Sequence, residues 1–379
     1  MTPRTLACNV SVMEIGGCDT LRPLMAPVMQ RHWIALVIAA VCAVPAAAAE
    51  QLPNVVVLAT GGTIAGAGTS GVQAAYTSGQ VGVEQLLAAV PEARTLATLR
   101  GEQISNIGSQ DMSDEVWLKL ARRVSELVAA PEVDGIVITH GTDTLEETGY
   151  FLNLVVKSRK PVVLTAATRP STALSADGPL NFFNAVAVAA HKNAAGRGVL
   201  VVVNDSIHGA SSLTKATTSG EPMFLSPGRG LVGTVAYGQC EFYRGPAGRN
   251  TVESEFSLDG VTSLPRVDIV MAHASMDGAL IDAAVAAGAR GVVIAGVGNG
   301  NMTKAALAAL AAQAKKGIVG VRSTRVATGR VGRNLEVDDD ALGLVASDDL
   351  SPQKARVLLR LALLAPRPLA DVQRLFDEY

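Results

Sequence analysis

Three short segments carry the residue types from which a hydroxyl-based active site is built: Thr60-Gly-Gly-Thr63, Gly108-Ser-Gln-Asp111 and His140-Gly-Thr-Asp-Thr144. Each follows a stretch that reads as a buried β-strand. In an open parallel sheet, the carboxyl ends of strands are where ligand sites gather. Thr63 after two glycines would present a hydroxyl where a ligand can approach the main chain. A plain strand–loop turn has the same spelling. No Gly-Lys-Ser/Thr follows, so the segment is not a phosphate-binding P-loop. Thr142 and Asp143 sit just before a helix start, where a hydroxyl, a carboxylate and free N–H groups can face one ligand. Thr144 with Glu147 spells a capping box for that helix. Ser109 offers a hydroxyl and Gln110 both a donor and an acceptor, suited to the carboxylate and ammonium of a zwitterion or to a solvated turn. Lys215 is a single lysine in a polar region and marks nothing by itself.

These segments need a sheet to hold them. Val55–Ala59, Gly135–Thr139, Pro161–Ala166 and Val199–Asn204 are short apolar runs rich in Val and Ile, the pattern of strands buried on both faces. Amphipathic stretches alternate with them; Asp114–Val128 places Val116, Leu120, Val124, Leu127 and Val128 on one helical face. Such alternation predicts right-handed βαβ units. The expected fold is α/β: a larger N-terminal, doubly wound, mainly parallel sheet domain over residues 52–243, a linker over 244–264, and a smaller C-terminal α/β domain over 265–379. The linker rests on Tyr243-Arg-Gly-Pro-Ala-Gly-Arg-Asn250, rich in turn formers. The second domain is expected to contain strands Val267–Ala272, Gly291–Ala295 and Gly317–Arg322. A helix from Pro352 to Leu364 follows, with Pro at its first position.

The chain has 379 residues, 49% of them hydrophobic but only 4% aromatic, and a net charge of −2. Two Ala-, Val-, Leu- and Ile-rich cores suit that length. Acids and bases are interspersed, so nothing argues for nucleic acid. The five histidines match no metal spacing; His140, His191, His208 and His273 are most simply structural or surface groups. Gly296-Val-Gly-Asn-Gly300 lacks the third glycine and acidic partner of a dinucleotide fingerprint. No metal and no cofactor are expected.

Residues 1–49 look like a leader. Arg31 and His32 precede the apolar run Trp33–Val44 and then Ala46-Ala-Ala-Ala49, as in a secretory signal peptide. Cleavage after Ala49 would release a periplasmic or secreted chain beginning at Glu50. The run is too short for a membrane span. Residues 1–28 fit neither leader nor fold, which makes Met25 or Met29 the expected start. Of the four cysteines only Cys240 lies beyond the leader, so the mature chain has no intrachain disulfide.

The motifs together, in register from about Leu52 to Tyr379, resemble bacterial type II L-asparaginases and glutaminase-asparaginases. The resemblance is carried by Leu58-Ala-Thr-Gly-Gly-Thr-Ile64, Asn106-Ile-Gly-Ser-Gln-Asp-Met112, Ile138-Thr-His-Gly-Thr-Asp-Thr-Leu145, Arg169-Pro-Ser, Ser175-Ala-Asp-Gly-Pro179, Gly296-Val-Gly-Asn-Gly300 and Ser351-Pro-Gln-Lys-Ala-Arg-Val-Leu-Leu359. It implies hydrolysis of L-asparagine, and of L-glutamine as a side activity, through an acyl-enzyme. It implies Thr63 as nucleophile with Tyr76 beside it on a Gly- and Ser-rich lid, and a second cluster of Thr142, Asp143 and Lys215. Ser109 would bind the α-carboxylate, and Gln110 and Asp143 the α-ammonium. N–H groups near Gly62 and Thr142 would hold the oxyanion. Glu336 would complete a neighbouring subunit's site in a homotetramer built of two tight dimers, leaving a monomer almost inactive. Ser275 stands where some members carry an Asn, and around Val128 and Ser158 the disulfide of some members is missing. A periplasmic amino-acid-binding protein would share the leader and two α/β domains but needs neither the paired Thr clusters nor the lysine. The amidase subunit of a tRNA-dependent amidotransferase would carry no export signal.

Overall fold

The computed structural model describes residues 51–68, 76–77 and 79–379, with the Tyr76 side chain left out. The expected leader and its cleavage point therefore lie outside the described residues. In chain order the strands are β1 (Asn54–Gly61), β2 (Ala67–Gly68), β3 (Tyr76–Thr77), β4 (Thr98–Ile107), β5 (Gly135–Thr139), β6 (Val162–Thr165), β7 (Val199–Val203) and β8 (Ser206–Gly209). They continue with β9 (Thr214–Lys215), β10 (Phe224–Leu225), β11 (Gly233–Ala236), β12 (Gln239–Phe242), β13 (Val267–Met271), β14 (Gly291–Gly296), β15 (Val319–Thr324) and β16 (Leu344–Ala346).

The larger sheet runs β12-β11-β8-β7-β6-β5-β1-β4. Its five strands from β7 to β4 are mutually parallel, while β8, β11 and β12 form an antiparallel edge. From β1 the chain moves outward to β4 and then returns to β5 on the other side. The carboxyl ends of β4, β1 and β5 thus flank a reversal of strand order, where open α/β sheets form a ligand crevice.

Alternation along the strands explains why both faces are covered. Val56, Leu58, Ile136, Ile138, Leu164 and Val201 enter one core with the helices α2 (Asp114–Ala129) and α3 (Leu145–Val155). Val55, Val57, Val137, Val163 and Leu200 enter another with α1 (Val83–Ala89) and α4 (Gly178–Ala190). Period-two side chains on strands buried on both faces require continuous apolar runs, which is what these segments contain. Helix α2 begins at Ser113, whose hydroxyl accepts from Val116 N at 3.3 Å, with Asp114 and Glu115 favouring the positive end.

The smaller sheet is parallel, in the order β13-β14-β15-β16. It packs with α5 (Ala279–Ala286), α6 (Lys304–Ala314), α7 (Asp339–Leu342), α8 (Pro352–Ala362) and α9 (Leu369–Glu378). Val267, Val293, Val321, Leu358 and Phe376 share the core that contains α2 and α3. The α/β architecture, a large mainly parallel sheet with a smaller parallel one, is as expected from the sequence.

Several local expectations differ. The stretch before Gly108 is the edge strand β4, half exposed rather than buried. The third strand of the small sheet starts at Val319, because Gly317 at φ 91° belongs to the turn that closes α6. Helix α8 stops at Ala362 instead of Leu364. Within the expected linker Asn250, Thr251, Ser254 and Phe256 are buried, and Ser254 Oγ donates to Leu154 O at 2.5 Å.

Candidate active site

Glycine geometry brings the three strand ends together. Gly62, at φ 82° and ψ −171°, would place a Cβ 2.3 Å from Gly141 N. A Cβ on Gly141 would lie 2.6 Å from Ser109 Oγ and 3.1 Å from Gly62 Cα. Only residues without a Cβ allow the ends of β1 and β5 to touch in this way. Thr63 and Thr142 are each the next residue after a glycine of that contact. Thr60 Oγ1 donates to Thr139 O at 2.8 Å, and Ser105 Oγ to Thr60 O at 2.9 Å, binding the same ends from behind. Thr63 opens a single 3₁₀ turn, Thr63–Ala65, and is 6% exposed.

Ser109 is fastened to the β5 turn twice. Its hydroxyl accepts from Asp143 N at 3.1 Å, and its carbonyl accepts from Thr144 Oγ1 at 2.7 Å. The second bond corrects the expected capping box: Thr144 is the N-cap of α3, but its side chain makes no cap bond. The hydroxyl is spent joining two strand ends instead. Ser109 Oγ keeps its proton to donate to a ligand. Gln110 is exposed, folds back over Gly108, and reaches Asp111 at 3.4 Å.

The lone lysine finds its partners here. Lys215, on the β9–β10 ribbon, donates from Nζ to Thr142 Oγ1 at 3.1 Å and to Asp143 Oδ1 at 2.5 Å. An ammonium bonded to a hydroxyl and a carboxylate can hand a proton on or take one up through that hydroxyl. Asp143 remains half exposed and Lys215 is mostly covered.

Beside Thr142 lies a loop quoted in the sequence but given no role there. Asp177 accepts from Thr168 N at 2.8 Å, Thr168 Oγ1 at 2.6 Å and Arg169 N at 2.9 Å. It thereby locks the turn after β6, whose Ala166 and Thr168 border a small space with Thr142. His140 is a second residue that spacing could not find. It is fully buried, its Nδ1 lies 2.7 Å from Gly141 O, and burial pushes its pKa down to about 4. A neutral ring protonated at Nδ1 fits that carbonyl, which orients the Gly141 peptide.

Tyr76 pairs through its backbone with Gly68, in the two-residue ladder of β2 and β3. Its side chain and residues 69–75 and 78 of the expected lid lie outside the described residues. The root of that segment is anchored: Gly68 N donates to Thr172 Oγ1 at 2.9 Å, and Ser171 Oγ to Gly66 O at 2.8 Å.

Ser275 and Glu336 fall elsewhere. Both are exposed on the smaller domain, Ser275 at φ 61° in the turn after β13. Among the described residues neither bonds to the Thr142 cluster. Glu336 Oε2 accepts from Asn301 Nδ2 at 2.5 Å. Under this arm lies Arg322, fully buried, paired twice with Asp339 at 2.6 and 2.7 Å and donating to Asn299 O and Gly332 O. Neither member of that pair stood out in the sequence.

Among the described residues no group of three or more His, Cys, Asp or Glu could hold a metal ion, and no helix is long and apolar enough to cross a membrane.

Residues 54–248 match the family described as asparaginase, N-terminal, and residues 266–376 the glutaminase/asparaginase C-terminal domain. A Haemophilus influenzae protein named probable L-asparaginase periplasmic is 49% identical over 331 residues, 87% of this chain and 94% of that protein. Escherichia coli L-asparaginase 2 is 48% identical over 332 residues, covering 88% and 95%. A glutaminase-asparaginase of Pseudomonas fluorescens biotype A is 46% identical over 331 residues, covering 87% and 91%. The crystal structure of a probable cytoplasmic L-asparaginase from Campylobacter jejuni superposes with a TM-score of 0.84 at 42% identity, over 86% of this chain and all of that one. With both domain models matched across nearly the whole described chain, and the glycine-locked strand ends in place, this protein belongs to the asparaginase family.

Proposed function

We propose that the protein hydrolyses the side-chain amide of L-asparagine to L-aspartate and ammonia, with L-glutamine as a slower substrate. The observation that carries the reading is the Lys215–Thr142–Asp143 constellation at the strand end locked by glycine against the one bearing Thr63. Thr63 Oγ attacks the amide carbon and gives up its proton. The tetrahedral oxyanion is held by N–H groups near Gly62 and Thr142, and the C–N bond breaks as the amide nitrogen takes up the proton given by Thr63 and leaves as ammonia. Water then opens the threonine ester, with the Thr142 hydroxyl and Lys215 relaying the proton. Tyr76 closes over Thr63 from the lid.

Substrate is gripped by its zwitterion. The free proton of Ser109 Oγ serves the α-carboxylate, while the Asp143 carboxylate and Gln110 serve the α-ammonium. Glu336 comes from a neighbouring subunit in a homotetramer of two dimers, which fits its exposure on the smaller domain. Ser275, shorter than the Asn of some members, leaves room for the longer amide. The reading includes export with cleavage after Ala49, and domain limits at 52–243 and 265–379.

The test is ammonia release from each amide by the purified protein, with its mass in solution. Tight binding of asparagine without ammonia sinks the enzymatic reading, and a fully active monomer sinks the shared site. N-terminal sequencing of exported protein checks the cleavage.

A further inference from the structure

Thr214, the neighbour of Lys215, lines a second cavity of about 410 Å³, within the volume range of small-ligand sites. It opens at the carboxyl ends of β15 and β16 and is floored by Ser351, Gln353 and Lys354, from the first turn of α8. Four cations face it, Arg229, Arg325, Arg330 and Lys354, against two carboxylates, Asp348 and Asp349. Both carboxylates are already engaged: Arg229 Nε lies 2.6 Å from Asp349, and Arg330 Nη2 lies 2.7 Å from Asp348. The Arg325 side chain has no hydrogen-bond or ion-pair partner among the described residues.

Lys354 is 3% exposed and bonds only to carbonyls, Ser211 O at 3.0 Å and Leu213 O. The buried Glu146 adds its field from behind, but its own hydrogen bond is with Gln353 Nε2 at 2.8 Å. Burial pushes the Lys354 ammonium down to about 8, as expected for a cation short of direct counter-charge. Ser351 Oγ is buried without a partner and does not cap its own helix. A free hydroxyl, the N–H groups of Gln353 and Lys354 in the first turn of α8 and a surplus of positive charge are the parts of an anion site.

We infer that this cavity is a second, non-catalytic site for a small dicarboxylate, held by Lys354 and the start of α8 at one end and by Arg325 at the other. One carboxylate fits the floor and the other the rim, matching the charge surplus. Lys354 grips the carbonyls of Ser211 and Leu213, and Thr214 lines the wall. An occupant therefore bears on the ribbon that aims Lys215 at Thr142.

The site is tested with succinate, which lacks the α-ammonium that the proposed catalytic pocket requires. Calorimetry on the full chain should show one succinate per subunit, with Kd raised at least tenfold in Arg325→Ala. Asparagine turnover without succinate should be the same in that variant as in the wild type. Equal affinity in the variant, no binding, or inorganic phosphate binding as tightly as succinate would each overturn the assignment. Saturating succinate should change kcat in the wild type and not in Arg325→Ala; an unchanged kcat in both removes the link to Lys215. The calorimetric result does not depend on whether the protein hydrolyses asparagine, so the two readings fail separately.

Discussion

Lys215 Nζ lies 3.1 Å from Thr142 Oγ1, although 73 positions separate them in the chain. On that bond rests the proposed role of Lys215 in proton relay. Lys215→Met should keep the fold and lower turnover by about 10²–10⁴-fold, the usual worth of positioned proton transfer. Steady-state rates with near-saturating asparagine provide the check; activity within a factor of three of wild type would remove Lys215 from the mechanism.

Thr63→Ala and Thr142→Val should each abolish turnover, for different reasons. The first removes the hydroxyl proposed to form the ester, so no acyl-enzyme should be trapped by rapid quench and mass spectrometry. The second leaves that hydroxyl but breaks the relay to Lys215. Both variants should melt within a few degrees of the parent, and near-normal activity in either contradicts the assigned roles.

Gly62→Ala attacks the geometry rather than the chemistry. The new methyl would sit 2.3 Å from Gly141 N in a conformation that only glycine adopts readily. Backbone strain there costs about 1–3 kcal/mol, and relief requires parting β1 from β5. Turnover should fall at least as far as in Thr142→Val, with a lower melting temperature. A stable, active Gly62→Ala protein would mean that the glycine contact does not hold the site.

Acid should destabilise the fold through buried histidines. His140 and His208 are both pushed down to about 4 by burial. The native state therefore disfavours the proton that the unfolded chain accepts near pH 6.5. Their stability contribution is complete above that value and is lost as pH falls from 6.5 toward 4, by about 3 kcal/mol per histidine at the limit. Urea midpoints at pH 7 and 4.5 measure the loss. His208→Gln should lose less over that interval than the parent, and an identical loss would rule out His208 as a contributor.

Breaking the Arg322–Asp339 pair should cost stability and substrate capture together. Both groups are fully buried, and removing one member of such a pair typically costs about 3–5 kcal/mol. Arg322→Met also frees Asn299 and Gly332 beneath the Glu336 arm, so KM for asparagine should rise, as it should in Glu336→Ala. An Arg322→Met enzyme with lowered stability but unchanged KM would confine the pair to a structural role.

Much of this molecule is legible in its residue order. Continuous Val and Ile runs read as central strands buried on both faces, and the segments bearing Thr63 and Thr142 follow two of them, whereas Ser109 follows the half-exposed edge strand β4. Ser109, Thr142 and Asp143 stood out as candidates because each lies two to four residues beyond a strand end. The family resemblance supplied what spacing could not, above all the partnership of Lys215. Tertiary structure alone decided the rest. The Thr144 hydroxyl turned from its own helix to Ser109 because two strand ends met there. Asn250, Thr251, Ser254 and Phe256 of the segment between the domains became buried, and Arg322 with Asp339 became buried partners. Each outcome depends on which backbone groups another segment leaves unsatisfied. That is a property of long-range proximity, which local periodicity does not encode.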